Sequence, residues 1–327
     1  MNNIVIDAMG GDNAPAEIVK GAVLACGKAK ILLVGKQEQI EAELKKYSYD
    51  KNSIEIINAT EVIGNDEVPT VAMRTKKDSS MMVGINLLKE GKADAMISAG
   101  STGAYLAATT LKIGRIEGIK RPALGALLPT AKGHTLLLDC GANVDCKAEY
   151  LLQFGIMGSV YMESVLGIKN PKIALANIGA EKEKGNALTK EASKLLEESK
   201  LNFTYNIEAR DISTGEVDVV VCDGFVGNVI LKSIEGYSKF LLSSIKQEIM
   251  SSTKSKIGGL LAKGAFANVR KKFDHSEVGG APFLGLKSLV IKTHGSAKAK
   301  DIVGSVSQAN KFIDNNLIKR IEENIWN

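Results

Sequence analysis

The stretch Ile4-Val5-Ile6-Asp7-Ala8-Met9-Gly10-Gly11-Asp12 is a short apolar run followed directly by a glycine-rich turn. Pro15 fits the first turn of a following helix, with Asn13 as a candidate cap. The stretch therefore predicts a buried strand, a tight turn and a helix, which together begin a βαβ unit. Further glycine-rich segments follow apolar runs at Ser98–Ala104, Asp139–Asp145, Asn177–Gly179 with Lys184–Asn186, Asp223–Asn228 and Lys292–Ser296.

Apolar runs rich in Val, Ile and Leu predict strands that are buried on both faces. These runs are Ile4–Asp7, Ile31–Gly35, Ile54–Asn58, Ala95–Ser98, Thr135–Asp139, Ile173–Asn177, Phe203–Ile207, Val217–Cys222 and Ser288–Lys292. Helices are expected between them, including one from Ser79 or Ser80 to Leu88 and others over Lys147–Leu166 and Gly185–Ser199. The alternation predicts a Rossmann-like, doubly wound α/β fold with a mostly parallel sheet, and we treat 1–327 as a single catalytic domain.

The glycine-rich segments also predict where a ligand binds. In an open parallel sheet, the junctions from strand to helix lie at one edge, where ligands bind. Glycine lets the backbone approach a ligand closely, and helix N-termini present free N–H groups to an anion. We therefore expect a phosphate-handling site at a single edge of the sheet.

The segment 229–273 is expected to be an insertion in this domain. An apolar helical period from Ile230 to Ile249 predicts a helix of about seven turns that projects or packs against a second copy. If Lys254–Phe273 is treated as one helix, Lys256, Lys263 and Arg270 fall on one line. The opposite arc is apolar and contains Leu261, Ala262, Ala265, Phe266, Val269 and Phe273, with Leu260 as an exception to the pattern. This segment fits either a membrane interface or a partly solvated hairpin between subunits, and the pattern alone favours the hairpin.

Composition excludes several classes of protein. The chain has 327 residues, 45% of them hydrophobic, and a net charge of +5, which is too small to indicate nucleic-acid binding. No apolar stretch approaches the roughly 20 residues of a membrane span. The chain opens without a basic region followed by an apolar one, so we expect no secretory leader. The four cysteines and three histidines lack zinc-site spacing, so we expect reduced, buried thiols in a cytosolic protein.

Common nucleotide and hydrolase motifs are absent. The sequence has no Gly-x-x-x-x-Gly-Lys-[Ser/Thr], no Gly-x-Gly-x-x-Gly in the first turn and no Gly-x-Ser-x-Gly. Each of the other candidate site residues is compatible with two interpretations. Ser101 and Thr102 could hold phosphate or cap a helix, and His294 could be an acid, a base or a structural residue. Arg74, Lys76, Lys182 and Lys184 could reach the site or be solvated, and Asp139, Asn143 and Asp145 could bind a metal or form a turn.

Taken in order, these motifs resemble the bacterial phosphate acyltransferases of phospholipid synthesis, the PlsX family. The resemblance extends over Ile6–Asp12, Arg74–Met81, Ser98–Ala104, Arg121–Leu124, Leu138–Asn143, Asn177–Gly185, Asp223–Asn228 and His294–Ser296. It implies transfer of a long-chain acyl group from acyl carrier protein to inorganic phosphate. A direct transfer of this kind requires no redox cofactor and no metal. The resemblance further implies a homodimer with a fold related to phosphotransacetylases and isocitrate dehydrogenases.

The resemblance also implies peripheral association with the inner face of the cell membrane, which reverses the interpretation of Lys254–Phe273. The expected membrane contacts are Leu260, Leu261, Ala265, Phe266 and Val269. The acyl phosphate would pass to a membrane glycerol-3-phosphate acyltransferase.

Our mechanistic hypothesis is direct attack of phosphate on the thioester. The expected phosphate- and acyl-binding residues are Gly10, Gly11, Asp12, Arg74, Lys76, Ser101, Thr102, Gly103, Asp223, Gly224 and Gly227. Arg74 or Lys184 would supply positive charge. Asn143 or Asn228 would donate to the oxyanion, and His294 or a lysine would stabilise the thiolate. Two alternatives stay open, namely a metal- and NAD-dependent decarboxylating dehydrogenase and a non-enzymatic scaffold that binds acyl carrier protein.

Overall fold

The computed structural model describes residues 1–272 and 279–325. The strands of these residues form a single eleven-stranded sheet. The strands are β1 (Asn3–Asp7), β2 (Lys30–Gly35), β3 (Ile54–Asn58), β4 (Ala95–Ser98), β5 (Ala123–Thr130), β6 (Gly133–Leu138), β7 (Ile173–Ala176), β8 (Phe203–Ile207), β9 (Val219–Val221), β10 (Ala281–Leu284) and β11 (Leu289–Lys292). Their order across the sheet is β3-β2-β1-β4-β11-β10-β5-β6-β9-β7-β8.

The sheet contains two parallel sets of strands that run in opposite directions. β1, β2, β3, β4 and β11 form one set, with Ile4 opposite Ile31 and Ile6 opposite Leu33 in the first pair. β6, β7, β8 and β9 form the other set. Between the sets, β10 is antiparallel to β11 and to β5, and β5 is antiparallel to β6. The predicted doubly wound, mostly parallel α/β fold is confirmed, although β5 and β10 were not predicted.

This reversal corrects the expectation of one ligand-binding edge. Because the two sets run in opposite directions, their carboxyl ends lie at opposite edges of the sheet. The turns after β1, β4 and β11 lie at one edge, which we call the first edge. The turns after β6, β7 and β9 lie at the other, which we call the second edge. The predicted site residues are therefore divided between two edges.

The helices flank both faces of the sheet. They are α1 (Ala16–Leu24), α2 (Gln37–Leu44), α3 (Pro69–Thr75), α4 (Ser80–Lys89), α5 (Thr102–Lys112), α6 (Ala148–Leu166), α7 (Ala187–Glu198), α8 (Gly224–Met250), α9 (Thr253–Leu261), α10 (Lys263–Lys272), α11 (Ala299–Asp314) and α12 (Leu317–Asn324). In β1, Ile4 and Ile6 join the core on one face while Val5 joins the core on the other. Because helices cover both faces of the sheet, this strand needs apolar side chains at successive positions, as its sequence has.

Most helices predicted from capping residues and apolar periodicity are present in the structure. Ser79 caps α4 by accepting a hydrogen bond from the Met82 N–H, and α6 and α7 lie within one or two residues of their predicted bounds. Asn13 does not cap α1, which corrects that expectation. Its amide instead donates to the carbonyl oxygens of Ser296 and Ala297, so it joins the turns after β1 and β11.

The long helix α8 has 27 residues, which confirms the prediction of about seven turns. The segment after it is two helices, α9 and α10, separated at Ala262. The predicted single line of Lys256, Lys263 and Arg270 assumed one continuous helix, and the break at Ala262 corrects that assumption. Gly259 of α9 lies directly against Ile249 of α8. Phe273, at the end of the predicted insertion, lies outside the described residues.

Candidate active site

Three glycine-rich turns at the first edge approach one another so closely that side chains would not fit. A Cβ atom on Gly10 would lie 2.7 Å from Asp7 Oδ2 and 2.7 Å from the Gly100 nitrogen. Gly11 has a φ of +95°, and its Cβ position lies 2.8 Å from the Gly295 carbonyl oxygen. The Asp12 N–H donates to that same oxygen at 2.8 Å. We call residues 10–12, 99–103 and 293–296 the glycine cradle.

A buried carboxylate holds two of these turns in place. Asp7 accepts hydrogen bonds from Ser98 Oγ at 2.7 Å and from the Met9 N–H at 3.2 Å. Ser98 Oγ in turn accepts from the Gly100 N–H at 3.0 Å. Burial raises the pKa of Asp7, although these hydrogen bonds act in the opposite direction. Sequence analysis did not identify Asp7 or Ser98 as part of the site.

The N-terminus of α5 forms one wall of the cradle. Ser101 caps this helix, because its Oγ accepts a hydrogen bond from the Ala104 N–H at 3.5 Å. This contact supports the helix-capping interpretation of Ser101. The N–H groups of the first helical turn have no partner within the helix and are free to meet an anion. A Cβ atom on Gly103 would lie 3.3 Å from Pro69, which places α3 beside this terminus.

The two predicted cations near α3 have different surroundings. Lys76 Nζ donates to the Val62 carbonyl oxygen at 2.8 Å and pairs with Glu67 at 2.7 Å. This hydrogen bond from Lys76 lowers the pKa of Glu67. The positive charge of Lys76 is therefore neutralised within the loop that precedes α3. Arg74 is exposed in the last turn of α3 and has no hydrogen-bond or ion-pair partner in the part of the chain that the structure describes.

His294 lies in the third turn of the cradle and faces α8. Its Nδ1 accepts from the Ser296 N–H at 3.2 Å, which places the proton of a neutral ring on Nε2. Nε2 is 3.9 Å from Glu235, and that carboxylate also pairs with Lys232 at 2.9 Å. Burial lowers the pKa of His294, with Lys232 acting in the same direction. The Nε2–H of a neutral ring is thus directed towards α8.

At the second edge, Asp139 organises the turn after β6. Its buried carboxylate accepts from the backbone N–H groups of Leu124, Ala142 and Asn143 at 3.0, 3.0 and 2.7 Å. The Asn143 amide nitrogen donates to Asp139 at 2.9 Å and to the Pro122 carbonyl oxygen at 2.8 Å. Both N–H groups of that amide are used within the turn, which favours a positioning role for Asn143.

The same contacts favour the turn interpretation of Asp139 and Asn143 over the metal interpretation, whereas the exposed Asp145 takes no part in them. Both carboxylate oxygens of Asp139 already accept hydrogen bonds from this loop. Across residues 1–272 and 279–325, no group of three or more His, Cys, Asp or Glu side chains is arranged to hold a metal ion.

The remaining predicted residues of this edge surround the start of α8. Asp223 caps the helix by accepting from the Val226 N–H at 2.8 Å, and the Gly224 N–H donates to the Asn143 carbonyl oxygen at 2.7 Å. Gly227 lies directly against the Asp139 carbonyl oxygen, where a Cβ atom would overlap it. Asn228 is exposed beside Gly141. Lys184 is exposed in the turn after β7, separate from the cradle.

Helix α8 links the two edges. It starts in the Asp139 turn, and by Glu235 it has reached His294 in the cradle. Glu235 lies seven positions after Asn228, which corresponds to about 10 Å along a helix. One extended substrate that lies along the first three turns of α8 could therefore contact both Asn228 and the cradle.

Comparisons with known proteins agree with this architecture. The family model described as "Fatty acid synthesis protein" matches residues 2–320. A phosphate acyltransferase of Clostridium acetobutylicum is 53% identical over 325 residues, covering 98% of this chain and 98% of that protein. A phosphate acyltransferase of Alkaliphilus oremlandii is 53% identical over 324 residues, covering 98% of this chain and 97% of that protein.

Solved structures of more distant proteins share the fold. A phosphotransacetylase from Streptococcus pyogenes matches with a TM-score of 0.60 at 19% identity, covering 95% of this chain and 94% of that chain. A 4-hydroxythreonine-4-phosphate dehydrogenase from Klebsiella pneumoniae matches with a TM-score of 0.53 at 12% identity, covering 95% of this chain and 99% of that chain. At such identities the likeness establishes the fold alone.

Proposed function

The chain belongs to the fatty acid synthesis protein family of phosphate acyltransferases, the PlsX family, and on that premise we propose the reaction that its site performs. The protein transfers a long-chain acyl group from acyl carrier protein to inorganic phosphate and releases acyl phosphate for phospholipid synthesis. The observation that supports the phosphate part of this proposal is the glycine cradle. Three backbone turns converge there, and the N-terminus of α5, whose first N–H groups can meet an anion, adjoins them.

The chemistry requires positioning more than a covalent intermediate, because a thioester is already activated. A phosphate oxygen in the cradle attacks the thioester carbon, a C–O bond forms and the C–S bond breaks. The proton lost from phosphate balances the proton gained by the thiol. We propose that the Nε2–H of His294 donates a hydrogen bond to the departing sulfur, that Asn228 donates to the oxyanion, and that Asn143 positions the turn at the start of α8.

The test of this function is phosphate-dependent cleavage of an acyl carrier protein thioester by the purified protein. We expect release of free thiol and acyl phosphate in equal amounts, and neither product without phosphate. Turnover that requires NAD and a divalent ion would favour the dehydrogenase alternative. Binding of acyl carrier protein without any thioester cleavage would favour the scaffold alternative.

The cysteines provide a prediction that separates direct attack from a covalent route. Burial raises the pKa of Cys140 and Cys222 well above the ordinary thiol value, and that of Cys146 to about 12. Thiols in this state are protonated at neutral pH and react poorly as nucleophiles. We therefore expect the combined variant Cys26→Ser, Cys140→Ala, Cys146→Ser and Cys222→Ala to keep most of its turnover if it folds. The measurement is steady-state thiol release, with circular dichroism to verify folding.

Trapping of an acyl group on one of these four cysteines, at a rate that matches turnover, would contradict direct attack.

We also propose that two copies of the chain pair through α8. Large apolar side chains along this helix are exposed, and they include Phe225, Val229, Tyr237, Phe240 and Leu241. A row of exposed large apolar residues on one helix is typical of a surface that a partner covers. The other proposed partners are acyl carrier protein, which donates the acyl group, and a membrane glycerol-3-phosphate acyltransferase, which consumes the acyl phosphate.

The helices α9 and α10 support the proposal of peripheral association with the inner face of the cell membrane. Leu260 and Leu261 are 71% and 84% exposed, and Phe266 and Val269 of α10 are also exposed. Ala265 is exposed beside them. No helix in the described ranges is both long and apolar enough to cross a membrane. The surface that these residues offer suits shallow, reversible contact with an anionic leaflet.

This proposal predicts that two acidic substitutions release the protein from vesicles. Burial of a Leu or Phe side chain contributes only about 1.5–3 kcal/mol, and each nearby lysine about 1 kcal/mol at an anionic surface. Leu261→Glu with Phe266→Glu should abolish flotation with anionic liposomes and leave soluble acyl transfer intact. The control Thr253→Glu with Asn268→Glu makes the same change in charge at exposed polar positions and should keep most of the binding. Equal flotation of the wild type and both variants would contradict the proposal.

A further inference from the structure

Lys292, the last residue of β11, is a buried lysine that the sequence analysis did not single out. Its side chain is 8% exposed. Nζ donates to the Ala99 carbonyl oxygen at 3.2 Å and to the Thr293 carbonyl oxygen. No carboxylate in the described part of the chain forms an ion pair with it. An ammonium group has three N–H donors, so two carbonyl acceptors leave one donor unassigned.

The ammonium group lies where the three turns of the glycine cradle meet. The Ala99 carbonyl oxygen that it contacts is 3.5 Å from the Cβ position of Gly11. That same position is 2.8 Å from the Gly295 carbonyl oxygen. Lys292 therefore places a positive charge at the point where the backbone of the three turns converges. Burying a charge without a paired opposite charge is strongly unfavourable, and a bound anion would relieve that cost.

The cations suggested by sequence are less suited to this position. Arg74 is exposed at the far end of α3, and Lys184 belongs to the second edge of the sheet. Lys76 is already paired with Glu67. We propose that Lys292 supplies the positive charge that binds the phosphate substrate in the cradle, with its third N–H donated to a phosphate oxygen. This inference rests on the proposed phosphate acyltransferase function and assigns one residue of its site.

The surroundings of Lys292 also determine how binding should depend on pH. Asp7 on β1 and Asp12 in the cradle favour the protonated lysine, whereas Lys232 on α8 opposes it, and His294 and Glu235 lie beyond. Burial is the largest influence and lowers the pKa of Lys292 to about 8. Protonated lysine, and thus phosphate affinity, is fully present below this value and is lost as the pH rises through it.

The first test replaces the charge while keeping an unbranched apolar side chain. Lys292→Met should raise the KM for phosphate by about 10- to 100-fold, because a hydrogen bond to a charged group is lost. Lys292→Arg, which retains the charge, should recover part of the affinity. The control Lys287→Met removes an exposed lysine just before β11 and should leave the KM for phosphate unchanged. Kinetics are measured with inorganic phosphate and a saturating acyl carrier protein thioester.

The second test uses the wild-type protein and so does not depend on whether a variant folds. Between about pH 8 and pH 10 inorganic phosphate stays predominantly dianionic, so a rise in its KM reports on the enzyme. We expect that KM to rise by up to about tenfold per pH unit above the pKa of Lys292. In Lys292→Met this rise should disappear.

The outcomes separate this inference from the function on which it rests. A wild type with no phosphate-dependent thioester cleavage would overturn the proposed function. A wild type that turns over, but whose KM for phosphate is flat over this pH range, would overturn the assignment of Lys292 alone. An unchanged KM in a folded Lys292→Met variant would do the same.

Discussion

Gly10→Ala should reduce kcat/KM for phosphate on the order of 1,000-fold while the protein stays folded. The added methyl group would lie 2.7 Å from both Asp7 Oδ2 and the Gly100 nitrogen, which is closer than these atoms can tolerate. The first and second turns of the cradle must then move apart, and the donors for phosphate lose their alignment. Steady-state kinetics with varied phosphate, together with a thermal unfolding curve, measure the effect.

The matched control for this prediction is Gly258→Ala. Gly258 lies within α9, and apart from its own helical backbone no heavy atom is within 4 Å of the position that its Cβ would occupy. Replacing a helical glycine by alanine should stabilise the helix by about 0.5–1 kcal/mol without affecting phosphate kinetics. If Gly10→Ala retains the kinetics of Gly258→Ala, the close approach of the first two turns is not part of the phosphate site.

Asp139→Ala should produce the largest loss of stability, about 4 kcal/mol in the free energy of unfolding. The substitution leaves three backbone N–H groups and one N–H of the Asn143 side-chain amide without their acceptor. Because the Gly224 N–H is bonded to the Asn143 carbonyl oxygen, the start of α8 should also shift, and turnover should fall with it. Denaturant unfolding at constant pH measures the stability, and thiol release measures the turnover.

Asp145→Ala is the control from the same turn. Its carboxylate is exposed and has no hydrogen-bond partner in the residues that the structure describes, so the free energy of unfolding should change by less than about 0.5 kcal/mol. Equal stability of the Asp139 and Asp145 variants would show that the Asp139 hydrogen bonds do not maintain this turn.

Local sequence patterns were sufficient for much of the fold. Runs such as Ile31–Gly35 are apolar at every position, and a strand covered on both faces requires that pattern. β5 escaped prediction because its sequence, Ala-Leu-Gly-Ala-Leu-Leu-Pro-Thr, contains Gly125 and Pro129 and lacks the Val and Ile typical of strands. β10 has only four residues, including Pro282.

The two missed strands explain why the single-edge prediction was wrong. β5 and β10 contribute the antiparallel pairings that reverse the second half of the sheet. Strand direction depends on pairing between residues far apart in sequence, and no local period reports it. The glycine turns were identifiable individually, but their division between two edges was not.

For the side chains of the candidate site, too, sequence could predict local features but not contacts between distant residues. The tight turn at Gly10 and Gly11 could be predicted from sequence because a glycine pair directly follows an apolar strand. Lys292 could not, since its significance lies in the contact of Nζ with Ala99, which is 193 positions away along the chain. Asn143 was identified as a donor, but sequence could not reveal that both its N–H groups are used by Asp139 and Pro122.

The most direct test of the account is a crystal structure of the protein soaked with arsenate, which mimics phosphate and can be located by its anomalous scattering. We expect one strong anomalous peak in the glycine cradle, within hydrogen-bond distance of Lys292 Nζ and near the N-terminus of α5. A peak confined to the turns of the second edge, around Asp139 and Lys184, with an empty cradle would contradict it.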